Sequence, residues 1–293
     1  MSCRHLDGCV VSREHSAWTH SEFGHGLQRC RASRGESGMR YFKGAIALSR
    51  TLDSPLLRQV MYSKYVTQTQ LWQFMRHRGY ELSRRSFCWR VNRLADHGFI
   101  MRHLLPMVHR DPIFAIASLG IDYLVENFGT LYCGPEAGPE VRADGSGVAH
   151  ALGVNDVHLR LLRSHALVSW ENEIEIRWRN ELSNSKYVKD YDAVITLSLG
   201  GRELQFALEY ERTPKTRAEY NGIVSALEQE RNIDRVLYLA CTPHIHSILK
   251  QRTWRMSHRV LIGMASDLSE TQVADLPVVD AQTMRIYRLV DIP

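Results

Sequence analysis

Hydrophobic positions along this chain recur mostly at helical spacing up to about residue 129 and alternate between helical and strand spacing beyond it. After the start Ser54-Pro55, Leu56, Leu57, Val60, Met61 and Tyr65 recur at helical spacing. Thr67 is placed to cap a second helix with Leu71, Phe74 and Met75 on one side and a stop at Gly79. Ser83 caps a third, in which Phe87, Val91, Leu94 and Ala95 form the apolar stripe and Gly98 ends it. FIMRHLLPMVHRDPIFAIAS then reads as two strands joined around Pro106 to Pro112, and SLGIDYLVENFG as a fourth helix. Residues 130–147 are rich in Gly, Pro and acids and read as a linker.

Beyond the linker the chain alternates. VAHALGVNDVHLRLLRSH carries a helical stripe of Val148, Leu152, Val157 and Leu161, followed by LVSWENEIEIRW and YVKDYDAVITLSL as strands. Gly200-Gly201 marks a two-residue hairpin turn into RELQFALEYER. KTRAEYNGIVSALEQERN and HIHSILKQRTW read as helices, each followed by a buried strand, RVLYLAC and RVLIGMA, and the tail from Asp267 to Pro293 as short strands and turns. The order α-β-β-β-α-β-α-β predicts an α/β (α+β) sandwich around a mixed sheet.

Charge sharpens the division. The net charge is +5, but residues 1–55 hold 8 basic and 5 acidic residues, residues 56–110 hold 10 and 2, and residues 111–293 hold 19 and 25. A compact +8 segment made of three helices and a two-stranded wing predicts a winged helix-turn-helix DNA-binding domain over residues 54–129. On its third helix Arg85, Trp89 and Arg93 fall opposite the stripe, with Asn92 beside them and Arg84 near the start. Outward Arg and Asn suit guanine and adenine edges in a major groove, and His103, His109 and Arg110 of the wing suit phosphates. A solvated basic face, or a dimerisation surface, is the plainer alternative.

The first 38 residues carry Cys3, His5, Cys9, His15, His20, His25 and Cys30 at no zinc-ligand spacing. Residues 1–53 are expected to be a disordered extension, or an over-extended reading frame with the start near Met39. The six Cys are expected to be reduced thiols, and with no membrane-length apolar run or signal peptide a cytoplasmic location, with no membrane partner, is expected. No G-x-S-x-G elbow or phosphate-binding loop is present.

Candidate chemistry lies in LQFALEYERTPKT. Strand alternation puts Glu209 and Glu211 on one face, either as a solvated edge or as half of a divalent-metal site. Asp192 at the start of the preceding strand, followed by Glu209-x-Glu211, resembles the PD-(D/E)XK nuclease superfamily. Tyr191 stands in the usual Pro position and Glu211 in the Lys position. The resemblance implies a restriction-endonuclease-like domain over residues 148–293 in which Asp192 and Glu209 hold Mg2+ or Mn2+, Asp156 adds a further acid and Glu211 belongs to the site. Lys215 or Lys189 would replace the missing ammonium.

Across roughly residues 55–255, His150-Ala-Leu152-Gly-Val-Asn155-Asp156, Trp170-x-x-Glu173 and Leu208-Glu209-Tyr210-Glu211-Arg212 are together similar to the replication-relaxation family of plasmids, integrative elements and prophages. That resemblance implies a protein acting on double-stranded DNA in replication, relaxation or transfer, with a homodimer or the mobile element's replication and transfer proteins as partners. The nuclease-like domain would either nick DNA or serve a non-catalytic, regulatory role.

Overall fold

The computed structural model describes residues 46–80, 83–129, 145–183, 186–254, 259–269 and 272–293. The expectations for the N-terminal Cys and His residues, and for most of the linker at 130–147, fall outside these. Ser49–Pro293 forms one compact unit, of mixed α and β structure. Among the described residues it holds eight α-helices, a three-stranded sheet and a seven-stranded sheet.

In the helical segment, α1 (Asp53–Tyr62) starts without a side-chain cap. Ser54, expected to cap it, instead shares a hydrogen bond with the Tyr123 hydroxyl at 2.9 Å, inside the segment's core. A short strand, β1 (Val66–Thr67), leads into α2 (Gln68–His77), where Thr67 and Gln70 close a capping box. Ser83 caps α3 (Arg84–Asp96) through the Ser86 amide. Strands β2 (Ile100–His103) and β3 (Ile113–Ile116) pair antiparallel, and β1 adds to the far side of β3. Two residues of strand left little periodicity to detect, so β1 was not expected. Helix α4 (Ser118–Phe128) ends at Gly129 with a positive φ of 77°.

The sheet segment begins with α5 (Ser146–Arg163) and β4 (Leu167–Asn172). Here the structure corrects the second half of the strand expected over LVSWENEIEIRW. EIEIRW alternates as a strand would, yet Asn172 accepts from the amides of Ile174 and Glu175 while Glu175 reaches back to the Asn172 amide. This reciprocal cap starts α6 (Glu173–Leu182) and overrides the alternation. Strands β5 (Ala193–Leu199) and β6 (Arg202–Glu211) form a hairpin closed by Gly200 and Gly201, with φ of 55° and 78°. Both values lie where only the missing Cβ is free of strain, as a type I′ turn requires.

Helix α7 (Arg217–Leu227) carries the chain to β7 (Arg235–Ala240) and α8 (Pro243–Thr253) to β8 (Arg259–Met264), both parallel to β6. Strands β9 (Pro277–Asp280) and β10 (Ile286–Arg288) complete the order β10-β9-β8-β7-β6-β5-β4. Val157 and Leu161 of α5 cover one face, with Leu204, Phe206 and Leu208 beneath them. Tyr220, Leu227, Ile245 and Leu249 of α7 and α8 cover the other. No described helix is long and apolar enough to cross a membrane.

Candidate functional site

The central hairpin decides how its acids are used. Neither Glu209 nor Glu211 is solvated: both are buried, at 7% and 4% exposure, on the face opposite Leu208, so the solvated-edge alternative does not hold. Ala193 pairs with Leu208, which brings Asp192, one residue earlier, alongside Glu209 at the same end of the sheet. Asp192 Oδ1 lies 2.9 Å from His150 Nε2 on α5, and Oδ2 accepts from the Tyr210 amide at 2.7 Å. Lys189 Nζ stands 2.6 Å from Glu209 Oε1. An ammonium at that distance donates to the carboxylate, so both its hydrogen bond and its charge act on Glu209. Lys215 pairs instead with Glu211. Of the two candidate replacement lysines, Lys189 therefore occupies the Asp192–Glu209 position.

These contacts set the charges. Burial alone would raise the Asp192 carboxyl, but the bond and charge of His150, the Tyr210 amide and Lys189 together hold it below its ordinary value. Burial would likewise lower His150, and Asp192 with Glu173 outweighs it, leaving the imidazole raised. Glu209 goes the other way: burial pushes its carboxyl up, Asp192 adds to this and Lys189 only partly offsets it. Two adjacent carboxylates thus differ in their hold on a proton.

Helix α5 joins this cluster to the helical segment. Asn155 Nδ2 donates to the Tyr65 carbonyl at 2.7 Å, and Gln70 Nε2 donates to Asp156 at 2.7 Å and to the Leu152 carbonyl at 2.9 Å. Val148, Ala151 and Leu152 share an apolar cluster with Tyr65, Ile113 and Ala115. His158 stacks flat on Trp170 at 3.9 Å and lies 5.0 Å from Phe74 of α2. Gly153 is required where α5 meets β6, because a Cβ there would sit 2.2 Å from the Tyr210 ring. Asp156, expected as a further acid, is thus engaged by Gln70 at this junction.

On α3, Arg84, Arg85, Trp89 and Asn92 are exposed as expected, and so is Arg110 in the β2–β3 loop. Arg93 is not outward. With Arg90 it binds the fully buried Asp53, at 2.6 and 3.1 Å, while its guanidinium lies 5.0 Å over the Trp89 ring. A hundred degrees per residue places Arg93 near the outer face, but a long side chain can turn back to a buried carboxylate. Asn92 accepts from Arg102 of β2. His103 is half-buried edge-on to Tyr65, and burial lowers its pKa, so it does not sit on the outer surface of the loop as expected.

No family model, no curated protein and no solved structure matches this chain. His150 is a polar insert of the α5 stripe and part of the His150-x-Leu152-x-x-Asn155-Asp156 motif, but its contact with Asp192 was not expected. Its partner, Asp192, lies 42 positions away on another element, which helical spacing does not show.

Oxygen donors at the β5–β6 end suit a hard divalent cation in kind, and Glu209 Oε1 already faces a cation, the Lys189 ammonium. In number they are sparse: among the described residues no three His, Cys, Asp or Glu side chains are grouped as a metal site.

Proposed function

We propose that this chain binds double-stranded DNA through α3 and the β2–β3 loop and brings a phosphodiester to the end of the β5–β6 hairpin for cleavage or nicking. The helix and strand order α1-β1-α2-α3-β2-β3, with antiparallel pairing β1-β3-β2, is what a winged helix would have. Seven mixed strands with helices on both faces agree with a nuclease-like sheet.

The single observation that carries the catalytic part is the register placing Asp192 beside Glu209, with Lys189 on Glu209 where the PD-(D/E)XK pattern lacks its lysine. Asp192 and Glu209 would hold Mg2+ or Mn2+, which when bound activates water and stabilises charge on the scissile phosphate. His150 and the Tyr210 amide fix the Asp192 carboxylate in orientation. Lys189, drawn off Glu209 by an arriving phosphate, would bind a phosphate oxygen. Glu211 and Lys215 neutralise each other behind this position. Action in replication, relaxation or transfer of a mobile element, and a homodimer or that element's proteins as partners, rest on the motif resemblance alone.

A second reading is a DNA-binding regulator or replication accessory protein with a non-catalytic sheet. It is favoured by the absence of a three-donor group among the described residues and by Asp192 having both oxygens engaged.

Calorimetry with Mg2+ and Mn2+ separates the two. Heat of binding that disappears in a folded Asp192→Asn/Glu209→Gln variant, together with metal-dependent nicking of supercoiled plasmid, supports the first. No binding at millimolar metal, with DNA affinity intact, leaves the second.

A further inference from the structure

Lys64, in the helical segment, pairs with Glu173, which the pairing of Asn172 with Ala193 puts at the same end of the sheet as Asp192. Lys64 follows the end of α1, in a left-handed backbone conformation with φ of 57°. For a residue with a Cβ this backbone is less favourable than for glycine, so the turn itself does not favour a lysine there. The next residue, Tyr65, is pinned to α5 through its carbonyl by Asn155. That bond and the shared cluster of Tyr65 with Val148 and Leu152 fix the turn against the sheet segment.

From this turn the Lys64 ammonium reaches Glu173, the first residue of α6. Glu173 has a second cation, Arg177, at 3.2 Å, so it would keep a partner if Lys64 left. The Lys64 side chain is 39% exposed.

We propose that Lys64 is a phosphate-binding residue of the Asp192–Glu209 site, supplied by the helical segment, and that it exchanges Glu173 for a DNA phosphate. The proposal rests on the DNA-binding reading given above. It makes the site composite: the segment that grips the duplex also contributes a cation beside the carboxylates. A lysine suits this because it binds phosphate as a mobile point charge, without the fixed geometry of a guanidinium.

The test is fluorescence anisotropy of the full chain with a labelled mixed-sequence DNA duplex over a range of salt. Lys64→Gly and Lys64→Asn both suit a left-handed backbone, and thermal melting will show whether each is folded as the parent is. Each is expected to lower the slope of log affinity against log salt by about 1, and Lys64→Arg to retain it. Glu173→Gln, which removes the competing carboxylate, is expected to tighten binding several-fold in the parent and to leave a Lys64→Gly background unchanged. An unchanged slope in the folded Lys64 variants, with Arg85→Ala lowering it, overturns the proposal while DNA binding stands. Failure of the parent protein to bind the duplex overturns both.

Discussion

Asp53 and Glu209 are both carboxylates taken out of water beside basic side chains, and they are finished differently. Asp53 receives the Ser49 amide at 2.7 Å, Arg90 at 3.1 Å and Arg93 at 2.6 Å. Buried Glu230 is finished likewise by the Tyr191 hydroxyl and the amides of Val188, Arg231 and Asn232. Among the described residues Glu209 has a single partner, Lys189 at 2.6 Å from Oε1. A saturated carboxylate holds its elements together. One left short of donors in a buried position carries a desolvation cost that a cation or a proton can relieve.

The largest expected effect would break this contrast if it failed. Asp53→Asn removes the charge that compensates two half-buried guanidiniums, and should destabilise the protein by about 3 kcal/mol. Glu209→Gln discards a carboxylate that burial already disfavours, and should cost less than about 1 kcal/mol. Urea denaturation of both variants checks the difference. Equal losses would mean that Glu209 is as much a structural carboxylate as Asp53.

A pH-dependent effect tests the junction between the two segments. Burial between Trp170 and Phe74, with the charges of Arg78 and His77 nearby, lowers the pKa of His158 to about 3. The unfolded chain binds a proton at this site near the ordinary histidine value of about 6.5, and the folded chain does not. Between these two pH values the unfolded state holds more protons, so stability is full above the upper one and declines as pH falls toward the lower. The slope approaches about 1.4 kcal/mol per pH unit from this residue. His158→Phe, which retains the stacked ring, should flatten that part of the profile. A profile of the same steepness in the variant would place the acid sensitivity elsewhere.

How much was legible in the sequence follows from where each signal resides. Helix caps at Thr67 and Ser83, stops at Gly79 and Gly98, and the Gly200-Gly201 turn are local, and each forms as its neighbours dictate. The alternation of LQFALEYE was equally readable, down to which face carries the two glutamates. EIEIRW failed because two local signals compete there, and the Asn172–Glu175 cap wins over the period of two. Arg93 failed for a non-local reason: its partner, Asp53, is 40 positions away and invisible to a helical wheel. The same holds at the candidate site. Asp192 and Glu209 could be brought together from the hairpin, whereas His150, Lys64 and Glu173 arrive from elements whose packing the sequence pattern does not specify.

The smallest expected effect sharpens the contrast on the α3 side. Arg85 and Arg93 share a helix and were read as one outward face, but only Arg85 is exposed there, while Arg93 belongs to the Asp53 cluster. If α3 meets DNA, Arg85→Ala should leave the unfolding midpoint within about 0.5 kcal/mol of the parent, as for other surface substitutions. It should lower the salt slope of duplex binding by about 1. Arg93→Ala should do the reverse: it loses stability, because a buried carboxylate is left with one fewer partner, and it retains the slope once measured where the variant is folded. Should Arg85→Ala keep the full slope, α3 is not the surface that faces the phosphates. The basic excess of residues 56–110 would then act through other exposed cations, Arg110 first among them.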